Sequence, residues 1–155
     1  MTAPFQIRRV QWQDYGSQCA EIRKQVFFNE VRYGYYATLD GHDSRCRHAL
    51  ALTEDGTAVG CGRLDENGEI SRIAVLPAWR QQGIGTALLS ELIAIARDSG
   101  ASAVQCAVPV FSLDYYRSQG FEPIGAVTIE AEVPLQRMRL LLTPSATSVR
   151  DSQLG

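Results

Sequence analysis

No stretch of the 155-residue chain approaches the run of about 18–20 apolar residues that a membrane-spanning helix needs. Met1 to Val10 lacks the apolar segment of a secretory leader. Net charge is nearly absent as well: 15 Lys plus Arg against 17 Asp plus Glu leave −2. That gives no general attraction to nucleic acid or to an anionic membrane, and the arginines are scattered rather than gathered in a patch. The four cysteines, at 19, 46, 61 and 106, include no C-x-x-C pair, so neither a zinc knuckle nor a thioredoxin-type couple is supported. They read as small, mostly buried apolar residues of a reducing compartment. There is no internal repeat and no low-complexity block. What is present is an ordinary globular composition, 45% apolar and 21% charged, which excludes wholesale disorder. The length suits one core. The expectation is a single cytoplasmic domain over residues 1–142, followed by a Ser/Thr-rich loose tail over 143–155.

Periodicity gives the elements. Phe5 to Val10 alternates and is expected as a first strand. Asp14 is expected to cap a helix running to about Asn29, since Cys19, Ile22, Val26 and Phe27 recur at three- and four-residue steps. Val31 to Asp43, with Tyr33, Tyr35 and Tyr36, reads as a loop or irregular turn. His48 to Thr53 and Ala58 to Leu64 flank the hairpin signal Glu54-Asp55-Gly56-Thr57, and Glu69 to Leu76 follows a turn at Glu66-Asn67-Gly68. These strands are expected to be antiparallel neighbours. Pro77 ends the last of them. Ile84, Leu88, Leu92 and Ile95, widened by Leu89, Ile93 and Ala96, make one broad apolar helix face that stops at Ser99-Gly100. Ala103 to Val108 is a buried strand, expected to run parallel to the one before the helix. A short helix from Phe111 to Gln119 and strands Phe121 to Ile129 and Gln136 to Leu142, joined through Pro134, complete an α/β (α+β) fold.

The stretch Ile73-Ala74-Val75-Leu76-Pro77-Ala78-Trp79-Arg80-Gln81-Gln82-Gly83-Ile84-Gly85 carries the chemistry. A strand stops at a proline, a short loop presents Arg80, and two glycines open the long helix. First-turn amides of a helix lack intrahelical partners and sit at the positive end of its dipole. Gly83 and Gly85 have no side chain to keep an anion away, so the arrangement is a phosphate or pyrophosphate cradle. Leu88 excludes the three-glycine dinucleotide fingerprint, and Gly85-Thr86-Ala87 excludes the P-loop. The alternative is a glycine-rich turn with no ligand; the agreement of strand, proline, arginine and helix favours the cradle.

Val75-x-Pro77-x-x-Arg80-x-x-Gly83-x-Gly85 resembles the pyrophosphate-binding motif of the GNAT superfamily of acyl-CoA-dependent N-acetyltransferases, and Tyr115-Tyr116-Arg117-Ser118-Gln119-Gly120-Phe121 resembles that superfamily's F/Y-Y-x-x-x-G-F segment. The likeness spans roughly residues 5 to 142. Arg23 to Glu30, Asp40-x-x-Asp43 and His48 are similar to the small bacterial branch called ElaA- or YjcF-like; acyl-homoserine-lactone synthases share a similar pattern. The chain departs from that branch at Val31, at Pro109 and at Pro134-Leu135.

The resemblance implies a mixed, mostly antiparallel sheet flanked by helices, with a parallel splayed strand pair at the CoA site. It implies acetyl-CoA as donor substrate, no metal, and an amine of a small molecule or peptide as acceptor, acted on by a monomer or homodimer. The cofactor-binding residues it implies are Ile73, Val75, Arg80, Gln81, Gln82, Gly83, Ile84, Gly85 and Thr86, with the Val75 N–H on the thioester oxygen. Tyr116 is implied as proton donor to the leaving thiolate, with Tyr115 as its buried partner. Glu69 is a candidate base acting through a water, with a solvated turn residue as the equal alternative; His48 and Asp43 are rivals. Asp40, His42, Asp43 and His48 fit no common metal spacing, which leaves them capping and turn roles. The acceptor pocket is expected from the Val31 to Asp43 loop and the Glu130 to Leu135 connection. Two other readings stand beside the enzyme: a CoA-binding regulatory module without catalysis, and an acyl-homoserine-lactone-like synthase.

Overall fold

The structure, a computed structural model, describes residues 4–30, 39–130 and 132–143. The tyrosines of the 31–38 loop and the tail beyond 143 lie outside these. Contacts group the chain into two compact units, Met1–Leu92 and Ile93–Gly155. Among the described residues no helix is long and apolar enough to cross a membrane.

The first unit holds a four-stranded antiparallel sheet in the order β1-β2-β3-β4: Phe5–Val10, Arg47–Thr53, Ala58–Leu64 and Ile70–Val75. Helix α1, Trp12–Arg23, continues as a π-helical run, Lys24–Glu30. Gln11, not Asp14, is its N-cap; Asp14 lies in the first turn, where its charge complements the helix dipole. The two faces of the sheet differ in side-chain size. Leu50, Leu52, Cys61 and Ala74 form a buried core with Cys19 and Ile22 of α1 and Val26 of the π-helical run. On the other face Ala49 pairs with Gly62 and Ala51 with Gly60. A Cβ at Gly60 would lie 3.1 Å from Leu88, and one at Gly62 would lie 2.8 Å from Leu92. The second helix, α2 (Ile84–Asp98), therefore seats its first half directly on backbone. Ile84, Leu88, Leu89, Leu92, Ile95 and Ala96 of α2 are all buried, as the apolar stripe requires. Its C-terminus closes as a Schellman motif: Gly100, at φ +87°, donates to Arg97 O, and Ala101 donates to Ala96 O (3.1 and 3.0 Å).

The second unit holds a three-stranded antiparallel sheet in the order β5-β7-β6: Ala103–Pro109, Val133–Leu141 and Glu122–Glu130. Val104, Cys106 and Val108 of β5 face the core. The short helix is a 3₁₀ turn, Val110–Ser112, followed by α3, Leu113–Ser118. Pro134 belongs to β7 rather than to the connection, paired with Ile129 of β6. It is tolerated there because the β5–β7 ladder starts only at Leu135, so nothing on that side needs its missing N–H. The expected parallel pair is not expressed as a ladder: β4 and β5 each end a separate antiparallel sheet.

Candidate active site

At the strand-to-helix junction, Pro77–Trp79 forms one 3₁₀ turn after β4. Arg80 then donates its Nε–H to the Val75 carbonyl (3.0 Å). Gln81 and Gly83 both take left-handed conformations, at φ +63° and +85°. Left-handed positions in such a loop curl successive amides into an anion-binding concavity. The first helical bond of α2 runs from Ala87 N–H to Gly83 O (3.0 Å), so the helix opens directly after this loop. Gly85 carries no positive φ, and a Cβ there would meet only Val75 Cγ2, at an ordinary 3.9 Å. Nothing inside the protein requires glycine at 85. Its missing side chain leaves room on the outer surface. Arg80, Gln81, Gln82, Gly83, Ile84, Gly85 and Thr86 thus share one junction. Ile84 has only backbone to offer there, because its side chain is buried.

The direction of β4 follows from its hydrogen bonds. Glu69 accepts a bond from Asp65 N–H (2.9 Å), so its peptide faces β3; Leu76 donates to Val59 O (2.9 Å), so it also faces β3. Strand peptides alternate, and residues 69 and 76 face the same way only if one extra residue intervenes. The register places it: Arg63 opposes Ser71 and Cys61 opposes Ala74, so Gly62 of β3 faces both Arg72 and Ile73 of β4. Arg72 is the bulged residue, at φ +55°. Beyond it, Ile73 and Val75 turn their peptide groups to the open edge of the sheet. The Arg80 bond to Val75 O is independent support for that direction.

Tyr116 of α3 is half-buried in the second unit. Its ring meets Phe121 edge-on at 5.6 Å and Tyr115 edge-on at 5.2 Å. Burial pushes its phenol pKa upward, with Cys106 and Tyr115 adding to the effect, so it holds its proton at neutral pH. Tyr115, expected to be the buried partner, is 39% exposed. Neighbours on a helix point about 100° apart, and it is Tyr116 that turns to Phe121.

Glu69 precedes β4, half-buried, with its amide held by Asp65 Oδ1 (2.9 Å). Its rivals are committed elsewhere. His48 is 1% exposed, stacks on Trp12 at 5.0 Å and donates Nε2–H to Asp43 O (2.8 Å). Burial lowers its pKa, so it is neutral and sealed from a substrate. Asp43 accepts bonds from Arg23 (3.0 Å) and Arg63 (3.2 Å). Asp40 takes Arg63 in a two-pronged bond, 3.0 Å at each oxygen, and also approaches Arg72 (3.4 Å). Arg63 lowers the Asp40 pKa, first by these hydrogen bonds. Asp40, His42, Asp43 and His48 are thus spent on arginines and a carbonyl, His42 contacting Arg45.

Sequence reasoning missed this ionic cluster. Its signal was Arg63 and Arg72 standing inside otherwise apolar strands, with two aspartates 23 and 20 residues before Arg63 to answer them. A second finding concerns the departures from the ElaA-like pattern: Pro109 and Leu135 are cross-strand partners in the β5–β7 ladder, so they form one local variation rather than two.

The sequence profile of the acetyltransferase (GNAT) domain matches residues 17–142. Over 82 residues the chain is 37% identical to an amino-acid acetyltransferase of Mycobacterium tuberculosis, a match covering 50% of this chain and 46% of that protein. The chain therefore spans about half the length of that relative. It is 26% identical over 123 residues to the uncharacterized N-acetyltransferase YjcF of Bacillus subtilis, covering 76% of this chain and 87% of that one. The crystal structure of Escherichia coli ElaA superposes with a TM-score of 0.78 at 21% identity, over 88% of this chain and 99% of that one, a likeness of fold.

Proposed function

Because the chain belongs to the GNAT family of acyl-CoA-dependent acetyltransferases, we propose that it moves the acetyl group of acetyl-CoA onto a primary amine of a small molecule or peptide by direct attack. The observation that carries this reading is the pairing of two features in one unit: an amide cradle at Gly83–Gly85 and a strand end whose Ile73 and Val75 peptides face outward. The cradle takes the pyrophosphate, with Arg80, Gln81, Gln82, Ile84 and Thr86 around it. The Ile73 and Val75 backbone takes the pantetheine arm as an added strand would be taken. The Val75 N–H stabilises charge growing on the thioester oxygen. Nitrogen attacks the carbonyl carbon, the C–S bond breaks, and the thiolate leaves with a proton from Tyr116.

The cradle is tested by Gly85→Val. Valine is a better helix former than glycine, so the variant keeps its fold and its Tm. Its γ-methyls occupy the space left for the phosphates, and CoA affinity by calorimetry should fall tenfold or more, about 1.4 kcal/mol. Unchanged affinity would move the cradle elsewhere. CoA release from acetyl-CoA across a panel of amines tests the reaction itself. Tight CoA binding with no turnover of any amine would make the protein a CoA-binding module instead.

The amine must arrive without its proton, and a free alkylamine with pKa about 10.4 is charged at pH 7. We assign the acceptance of that proton to Glu69 through a water. Glu69→Gln keeps shape and removes the basic site. Its kcat/KM should drop most at neutral pH and return toward wild type at high pH, where free amine is abundant. A constant ratio of the two rates across pH would take Glu69 out of the mechanism.

A further inference from the structure

The β4 bulge does more than bend a strand. From Ile70 to Val75 a regular strand opposite β3 would place Ile73 against Cys61 and turn the Ile73 and Val75 peptides inward, into the sheet. One extra residue reverses every peptide that follows. The chemistry proposed above depends on that reversal, yet the residue that makes it, Arg72, sits at φ +55°, a left-handed conformation that strains a side chain. Something must hold it there.

The side chains around the bulge supply the hold. Arg63, on β3, reaches Ser71 Oγ with its Nε (3.3 Å), fixing the residue just before the bulge. Arg72 itself reaches Asp40 Oδ2 (3.4 Å). Asp40 joins the two, because both of its oxygens also receive the Arg63 guanidinium. The Asp40 carboxylate is in turn oriented by the His42 N–H on Oδ1 (3.0 Å). On the protein side of the bulge the Cys61 thiol approaches the Arg72 carbonyl at 3.8 Å. Arg63 and Arg72 are nearly buried at their side chains, 7% and 8% exposed, so these ionic bonds act with little competition from water.

We propose that Asp40 is a positioning residue for acyl transfer: by clamping the bulged Arg72 to Arg63 of the neighbouring strand, it keeps the Ile73 and Val75 peptides turned to the open edge. The inference rests on the acetyltransferase reading for its consequence, but not for its structural half.

The test is Asp40→Asn, which removes the charge and keeps the shape at a side chain that is 29% exposed. A misdirected Val75 N–H should cost about 10- to 100-fold in kcat, as small displacements of aligned groups do. KM for acetyl-CoA should stay within about twofold, because the cradle at Gly83–Gly85 is untouched. Hydrogen exchange supplies the second readout: amides 70–76 should exchange faster while those of β1 and β2 keep their protection. Arg72→Gln, cutting the same contact from the other side, should repeat both effects, and Asp40→Glu should recover part of the rate. Unchanged exchange in β4, or exchange raised equally through β1 to β4, overturns the proposal. If the wild-type protein turns over no amine, the acetyltransferase reading falls, and exchange at 70–76 alone decides whether Asp40 holds the bulge.

Discussion

Tyr116→Phe should reduce kcat by about 100- to 10,000-fold, the range typical of a lost general acid, with CoA affinity unchanged. The substitution removes one oxygen and nothing else. The ring keeps its edge-on contacts with Phe121 and Tyr115, so the fold has no reason to move. Burial holds the phenol protonated across the physiological range. The wild-type enzyme should therefore show no descending limb from this group near its ordinary pKa of about 10. A donor that is so reluctant to ionise still serves a thiolate, because the thiolate takes the proton as the C–S bond breaks and charge appears. Comparing amine acetylation by wild type and variant, at saturating acetyl-CoA, checks the assignment. A variant with full kcat would pass the donor role to a water molecule or another side chain.

The second large effect is on stability. Asp43→Ala should lower the unfolding free energy by about 3–5 kcal/mol, the cost of stranding a buried charge. Arg23 is 1% exposed, and its Nη1 is ion-paired with Asp43 Oδ2; its Nε and Nη2 have no hydrogen-bond partner among the described residues. Trp12 lies 5.1 Å from the guanidinium and contributes a cation–π contact, worth less than an ion pair. With an m-value of about 1–3 kcal/mol/M, the urea midpoint should fall by at least about 1 M. Adding Arg23→Met should recover much of the loss, since an apolar pair of similar volume needs no compensation. Equal midpoints for the single and double variants would show that the charge is not what Asp43 neutralises.

The pH dependence of this pair has a definite sign. Burial pushes the Asp43 carboxyl up, but hydrogen bonds and charge from Arg23 and Arg63 outweigh it and leave the folded-state pKa below its ordinary value. Stability from such a group is present above the unfolded value of about 3.9 and is lost as pH falls through the folded one. The gap between wild type and Asp43→Ala should therefore be full at neutral pH and close only in acid.

What the sequence revealed depended on how local the physics is. The α2 stripe, Ile84 to Ala96, is a property of one helix, and it appeared with its C-terminal Gly100 in place. So did the strand from Ala103 to Val108, although its alternating burial emerged only in the structure. The strand-to-helix junction was legible because its glycines, proline and arginine lie within a few residues of one another. The bulge at Arg72 was not, since it exists only as a mismatch between two strands. The Asp40–Arg63–Arg72 clamp was hidden for the same reason: its members are far apart in the chain and meet only after the sheet forms. Tyr115 and Tyr116 were told apart by family likeness. Their actual burial is set by Phe121, which no helical pattern announces. Pro134 entered β7 because β5 stops short beside it, again a fact about a neighbour.

The extra residue in β4 has a consequence for how such a chain can diverge. Its effect is one of count, not of kind: what matters is how many residues separate Glu69 from Val75. Replacing Ile70 or Ile73 with another apolar side chain leaves the count alone, and drift of that sort is cheap. Losing or gaining a single codon between them is different. The strand would still pair, the core facing α1 would still find apolar side chains, and the domain would still be soluble and folded. Yet the strand would lose the bend and extra twist that the bulge puts into it just before the edge offered to a cofactor. Length in this short segment is thus under stricter control than identity. A lineage that abandons the reaction while keeping the scaffold has there a one-step route, by a deletion that a substitution-based comparison would barely register.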